Sequence, residues 1–304
     1  MKSRIILAGG TGFIGQQLSA FLLAHNYEIV VLTRSPSEQR GNVRYANWDG
    51  NTVGEWAELL DGAASVINLA GRGINCRHTP EHRREILESR VQSVRVLSES
   101  IARCTQPPQS FIQAGAVGIY GDANDRWCDE SAPKGSDFVA QVCRQWEEAF
   151  DAVSAPGMRK VLLRLGIVLG PNGGFLKVLS RLTRCFLGGQ IGNGRQYISW
   201  IHITDLARML LCAVEREQFA GVFNATSPAP VTNAEFMREL RRALHRPWSP
   251  PVPEWAARLG SWVLGTEPSL AFISQRCVPR HFLEKDFSFE FQELRPALAN
   301  IFPD

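Results

Sequence analysis

The chain has 304 residues, 44% apolar and 21% charged, with a net charge of +3. This is ample for a buried core, as one large α/β unit or two lobes, and the absence of like-charge runs points away from nucleic acid. No run of about 18 apolar residues is long enough to span a bilayer, and the N-terminus enters its first strand with no room for a signal peptide. Seven scattered cysteines, odd in number and without metal-ligand spacing, argue against a disulfide framework or a metal site and fit a reducing cytoplasm.

The aliphatic run Arg4-Ile5-Ile6-Leu7-Ala8 predicts a buried strand, and it leads directly into Gly9-Gly10-Thr11-Gly12-Phe13-Ile14-Gly15. An amphipathic stretch follows, with apolar Phe13, Leu18, Phe21 and Leu22, so the glycines lie in a strand-to-helix turn. Each glycine has a use in holding a dinucleotide: a tight turn at positive φ, close approach of the backbone to a pyrophosphate, and close packing of helix on strand. The amides and positive dipole end of that helix then face the phosphates. A second buried strand, Glu28 to Thr33, ends in Arg34-Ser35, with no carboxylate before Glu38. An NAD site places an acid about 20 positions beyond the glycines, whereas an arginine accommodates a 2′-phosphate. Arg34 and Ser35 therefore predict NADP(H) as the cofactor.

Further strands are predicted at Val43 to Ala46, Ser65 to Leu69, Ser110 to Ala114, Val161 to Leu165 and Val222 to Asn224. Helices are predicted at Thr52 to Leu60, Pro80 to Cys104, Ser136 to Ala152, Gly174 to Leu187, and from Thr204 onward. This alternation predicts an α/β fold, a Rossmann-type doubly wound parallel sheet over residues 1–230. The proline-punctuated connector from Arg246 to Pro253 lies within a smaller C-terminal lobe, residues 231–304, with helices at Thr232 to Leu244, Glu254 to Leu264 and the C-terminus. Ligands of such sheets bind beyond the carboxyl ends of the strands. That rule directs attention to the glycine turn, Arg34, Asp49, Asn68-Leu69-Ala70-Gly71, and the loops 115–122 and 166–174.

With Tyr120-Gly121-Asp122 and Arg164-Leu165-Gly166-Ile167-Val168-Leu169-Gly170-Pro171 added to these turns, the chain resembles extended short-chain dehydrogenases/reductases over nearly its whole length. The segments Ile191 to Gln196, Ser199 to Asp205, Glu88-Ser89-Arg90 and Ser274-Gln275-Arg276 resemble more narrowly an "epimerase family" subgroup, often labelled putative nucleotide-sugar epimerases, with a short C-terminal domain of unknown function. The resemblance implies cofactor contacts from the glycine turn, Arg34, Ser35, Asn68 to Gly71, Arg164 and Gly166, with Asp49 either on the adenine or in a simple turn. It also implies homodimerisation through the helices at Pro80 to Cys104 and Ser136 to Ala152.

The family's chemistry uses a serine, a tyrosine and a lysine four residues after the tyrosine, placed on one helix face. Matched to the family's patterns, the tyrosine and lysine positions hold Val139 and Cys143, and the serine position holds Ala116. Ser89 stands where many relatives have asparagine. Tyr120 is the phenol nearest the expected nicotinamide face and is the candidate proton donor, against a packing or substrate-stacking role. Cys143 reads either as a reactive thiol or as a small buried hydrophobe. Arg195, Gln196, Trp200 and His202 are expected to line a cleft for an unknown small-molecule substrate, with a structural helix-capping histidine as the other reading of His202. Two functions follow: an NADP(H)-dependent oxidoreductase or epimerase-like enzyme without the usual catalytic set, or a non-enzymatic protein that uses NADPH as a regulatory or scaffold ligand.

Overall fold

The computed structural model describes residues 3–303. Its first half alternates β1 (Arg4–Ala8), α1 (Phe13–Ala24), β2 (Glu28–Thr33), β3 (Glu38–Arg40), β4 (Val43–Asn47), β5 (Ser65–Asn68), α2 (Pro80–Ala102), β6 (Ser110–Ala116), β7 (Trp127–Cys128) and α3 (Phe138–Asp151). It continues through β8 (Arg159–Leu165), β9 (Ile167–Leu169), α4 (Gly174–Arg184), β10 (Tyr197–Ile198), β11 (Trp200–His202), α5 (Ile203–Glu215) and β12 (Gly221–Ala225). The remainder holds β13 (Val231–Thr232), α6 (Asn233–Ala243), α7 (Glu254–Val263), β14 (Arg276–Cys277), α8 (Arg280–Leu283) and α9 (Leu294–Ile301).

Eight strands form the central sheet in the order β12-β8-β6-β5-β1-β2-β4-β3. All neighbours pair in parallel except β3, which runs antiparallel to β4 at the edge. The fold is thus a doubly wound, Rossmann-like α/β sheet. Its central strands read as near-continuous apolar runs because both faces are covered. Ile5, Leu7, Ile29 and Val31 enter one core beneath α1 and α5, while Ile6, Val30, Val66 and Phe111 enter the other beneath α2 and α3. The strand order reverses at β1, with β2 on one side and β5 on the other. This places the switch point of the sheet directly above the glycine turn.

Three local differences from the sequence reading have physical causes. The helix expected from Thr52 is a 3-10 turn over Glu55–Leu60, because Asp49 takes the Thr52 amide and hydroxyl into its own turn. The helix expected to reach Leu187 ends at Arg184. Phe186 adopts φ 62° there, and the Leu187 amide returns to the Leu182 carbonyl at 2.9 Å, closing the helix end with a left-handed residue. Strand β3 was not predicted, since its three residues are polar and exposed and carry no alternation.

Residues beyond 230 divide among three clusters, the smallest of which takes Cys277 beside Tyr120 and Cys128. Phe236, Leu240, Leu294 and Leu298 pack with Leu169, Leu176 and Trp200 in a cluster of their own. Phe282, Phe287 and Phe289 instead enter the core that holds Ile5 and Ile29. The segment beyond 230 is therefore packed into the core of the main sheet as well as into a cluster beside it.

Candidate functional site

The glycines of the first turn differ in what surrounds them. Gly9 has φ 76°, and a Cβ there would lie 2.9 Å from the Ala70 amide nitrogen, so only glycine lets this turn pass against the loop after β5. A Cβ on Gly15 would lie 2.4 Å from Gly10 Cα, which shows how closely α1 approaches the turn. Gly12 is the opposite case: a Cβ there would meet only the Gly9 carbonyl oxygen, at 3.5 Å. Gly12 is also the N-cap of α1, with no side-chain cap. The first amides of α1, at Phe13, Ile14 and Gly15, have no acceptor within the helix. Free amides, an open approach over Gly12 and the positive helix end together suit a pyrophosphate. The Phe13 ring packs on the other side, against Gly170, Gly173 and Gly174; a Cβ on Gly173 would fall 2.0 Å from it.

Arg34 and Ser35 are exposed at the end of β2. Asn47 fixes their backbone by donating from Nδ2 to the carbonyls of Arg34, at 3.3 Å, and Ser35, at 3.0 Å. Among the described residues no side chain engages the Arg34 guanidinium. Asp49 is occupied otherwise. Its carboxylate accepts from the amides of Asn51 and Thr52 and from Thr52 Oγ1, and these bonds, the backbone ones foremost, hold its pKa below the ordinary value. Asp49 is thus the linchpin of its own turn.

Asn68 is fully buried and acts on the loop that follows it. Its Nδ2 donates to Gln113 Oε1 at 2.9 Å and Ser93 Oγ at 3.2 Å, while its Oδ1 accepts from the Ala70 amide at 3.0 Å. The side chain has no capacity to reach a ligand, and it shapes the path of Leu69, Ala70 and Gly71 instead. Gly166 meets a similar demand, because a Cβ there would lie 2.8 Å from the Ser199 carbonyl oxygen.

Arg164, expected among the cofactor contacts, is engaged by groups of the protein itself. Its guanidinium is 4% exposed and pairs in fork geometry with Glu147, Nε to Oε1 at 2.8 Å and Nη2 to Oε2 at 3.0 Å. Its Nη1 donates to Tyr120 Oη at 2.9 Å and to the Glu130 carbonyl at 3.0 Å. Tyr120 in turn donates to Asn224 Oδ1 at 2.7 Å and is 1% exposed. Burial pushes this phenol well above its ordinary pKa despite the neighbouring Arg164. Tyr120, expected as the candidate proton donor, is thus enclosed, with its hydroxyl proton donated to a buried acceptor.

The positions matched to the family's catalytic groups lie close together. A Cβ on Gly118 would meet Val139 Cγ1 at 2.7 Å and Cys143 Sγ at 3.7 Å, so the short turn Val117–Tyr120 rests on that face of α3. Burial pushes the Cys143 thiol up to about 12, outweighing the opposite pull of Arg90. Cys143 is accordingly a small buried hydrophobe rather than a thiolate. Ser89 accepts from the Arg72 amide at 2.9 Å and donates to the Ile86 carbonyl at 3.2 Å, tying the loop after β5 to α2.

Two of the four expected cleft residues belong to the interior. Trp200 is fully buried and donates from Nε1 to the Ala229 carbonyl at 2.9 Å. His202 is the N-cap of α5: its Nδ1 accepts from the Thr204 amide at 3.2 Å, and its ring lies 4.0 Å from that of Phe291. Burial pushes its pKa down to about 4, although the nearby Asp205 carboxylate opposes this. The folded state therefore binds fewer protons than the unfolded chain between pH 6.5 and 4, and stability falls with acidification across that window. We expect His202→Gln to remove of order 2 kcal/mol of this acid-side loss, read as a flatter melting temperature between pH 6.5 and 4; an unchanged slope would assign it elsewhere. Gln196 clamps its loop, donating to the carbonyls of Ile191 and Ala271, while the side chain of Arg195 stays exposed.

Comparisons with known proteins agree with this architecture. Residues 5–225 match the model of the NAD dependent epimerase/dehydratase family, and residues 252–301 match a domain of unknown function, DUF1731. The chain is 35% identical to "Epimerase family protein SDR39U1 homolog, chloroplastic" of Arabidopsis thaliana, covering 98% of this chain and 86% of the relative. It is 34% identical to "Epimerase family protein YfhF" of Bacillus subtilis, covering 99% and 98%. The crystal structure of human epimerase family protein SDR39U1 (isoform 2) with NADPH superposes with a TM-score of 0.88 at 32% identity, covering 98% of each chain.

Proposed function

Because the chain belongs to the NAD dependent epimerase/dehydratase family, we propose that it binds NADP(H) at the switch point of its sheet and serves as an oxidoreductase without the usual Ser/Tyr/Lys set. The observation that carries the cofactor reading is the open approach over Gly12 beside free α1 amides, with an unengaged arginine at the end of β2. In this reading the α1 amides hold the pyrophosphate, Arg34 and Ser35 take the 2′-phosphate, and Gly9 to Gly15 with Leu69, Ala70 and Gly71 give the backbone surface on which the cofactor lies. NADPH supplies the hydride when bound. The relative crystallised with NADPH supports the same preference.

The protonation partner is the distinctive part of the proposal. Ala116, Val139 and Cys143 provide no acid, and Tyr120 is enclosed. A proton delivered to a reduced carbonyl then comes from water or from the substrate itself. The same enclosure favours, as a second reading, a non-enzymatic protein that senses or uses NADPH as a structural ligand. NADPH oxidation against a panel of carbonyl compounds and sugar nucleotides separates the two: turnover supports the enzyme, and tight binding without turnover supports the sensor.

Arg34→Ala tests the cofactor assignment. We expect it to weaken NADPH by about 1–3 kcal/mol, because a charge-assisted hydrogen bond is lost, and to leave NADH nearly unchanged. Equal weakening of both in calorimetric titration would remove Arg34 from the 2′-phosphate.

A further inference from the structure

Arg90 projects from α2 against the loop that follows β5. Its Nη1 donates to the carbonyls of Arg72 and Ile86, each at 2.8 Å, and its guanidinium carbon lies 5.1 Å from the centre of the Trp146 ring. A Cβ on Gly71 would come within 3.2–3.4 Å of Arg90 Cγ, Cζ and Nη1, so the missing side chain at Gly71 is what lets the guanidinium lie there. Both hydrogens of Nη1 are thereby used, and no carboxylate pairs with Arg90 among the described residues. Among the described residues Nε and Nη2 have no partner. Unlike the Nε atoms of Arg144 and Arg276, they are not sealed from solvent.

A half-buried cation with no counter-charge carries a desolvation cost that its own fold does not repay. Burial accordingly draws its pKa below the ordinary arginine value. What remains free is the Nε/Nη2 edge, a preformed fork for oxygen acceptors. Its location gives the fork an address. In the sheet order, β2 with Arg34 lies on one side of β1, and β5 with the loop to Gly71 lies on the other. Gly9 packs against Ala70 of that loop, so the glycine turn and the Arg90 surround share one floor. A dinucleotide with its 2′-phosphate on Arg34 and its pyrophosphate above Gly12 extends its other half toward β5.

Resting on the NADP(H) reading above, we infer that Arg90 holds the nicotinamide riboside half of the cofactor, its free Nε and Nη2 donating to the oxygens of that half. The position on α3 matched to the family's lysine is the neutral, buried Cys143. The cation at this end of the cleft thus comes from α2. Arg90 is a binding residue in this assignment and moves no proton.

The test is calorimetric titration of the full-length protein with NADPH and with adenosine 2′,5′-bisphosphate, which has the 2′-phosphate but no nicotinamide riboside. Arg90→Gln should weaken NADPH about tenfold, the loss of a charge-assisted hydrogen bond, and leave the bisphosphate within about twofold. Arg90→Lys, which keeps the charge but not the fork, should fall between. Arg34→Ala should weaken both ligands. Unchanged NADPH affinity in Arg90→Gln overturns the inference, as does equal weakening of both ligands, which would mark a general disturbance of the loop. A failure of Arg34→Ala to weaken either ligand overturns the 2′-phosphate assignment while leaving the Arg90 comparison readable, and no NADPH binding by the unaltered protein overturns both.

Discussion

Replacing Glu147 with leucine is expected to destabilise the protein by about 3–5 kcal/mol, the cost of leaving a buried charge without its partner. Arg164 and Glu147 are 4% and 5% exposed and joined by two hydrogen bonds. After the substitution Arg164 keeps only Tyr120 and the Glu130 carbonyl, both neutral. Urea unfolding should show the loss as a lower midpoint at unchanged slope. The double variant Glu147→Leu/Arg164→Met removes both charges and should recover much of the loss, since a buried pair exchanged for apolar groups is often close to neutral. By contrast, Lys134, which also reaches Glu147 at 3.1 Å, is 43% exposed, and Lys134→Met should cost less than about 1 kcal/mol. A single-variant loss no greater than that of Lys134→Met would mean that water reaches Arg164. The network also explains the neighbourhood of Tyr120: Arg164 donates to the phenol oxygen while the phenol donates to Asn224, so the side chains that join β8 to α3 also enclose the tyrosine.

Gly12→Val is expected to give a folded protein whose NADPH affinity is lower by about 100-fold or more, roughly 2.8 kcal/mol. The backbone at Gly12 has φ −73° and ψ 174°, an extended conformation open to any residue. The added Cβ meets only the Gly9 carbonyl oxygen at 3.5 Å, so the fold should lose no more than about 1 kcal/mol, as for an unfavourable N-cap. The branched side chain would stand in the approach to the α1 amides, where a pyrophosphate must come close. Calorimetry and thermal melting on one preparation separate the two effects. Near-normal NADPH affinity would show that the dinucleotide does not cross this turn. Gly15→Val is a useful contrast, because a Cβ 2.4 Å from Gly10 Cα forces α1 off the turn and should cost folding as well as binding.

The two variants also mark how the site is divided. In the proposed cofactor half, the glycine turn offers backbone amides, and Arg34 and Arg90 offer cations that no carboxylate pairs with among the described residues. Around Tyr120, Arg164, Glu147 and Asn224, polar groups bond to one another and tie the C-terminal segment to the sheet, Asn224 donating to the Val278 carbonyl. Asp205 shows this lacing directly, its carboxylate accepting from the amides of Glu290 at 2.8 Å and Phe291 at 2.9 Å.

Local features were legible in the sequence. Apolar runs of strand length, 3.6-residue periodicity and the spacing of Gly9, Gly12 and Gly15 express constraints between residues close in the chain, and they placed the strands of the parallel sheet, the main helices and the strand-to-helix turn. The placement of Arg34 at the end of β2 was legible for the same reason, since it depends only on where that strand ends. The partner of a side chain is set by topology instead. Arg164 meets Glu147 across 17 positions, and Tyr120 meets Asn224 across 104. No local pattern records those meetings, so residues with reactive side chains read as candidate chemistry until the fold showed their hydrogen bonds already made. Arg90 is the reverse case: an arginine on a long charged helix reads as solvated, and only the packing of α2 against Gly71 and Trp146 shows that it is half-buried with one edge left open. Composition and periodicity determined the fold, because burial of apolar surface is additive along the chain; tertiary structure decided which polar groups remain free to act, because that depends on who their neighbours are.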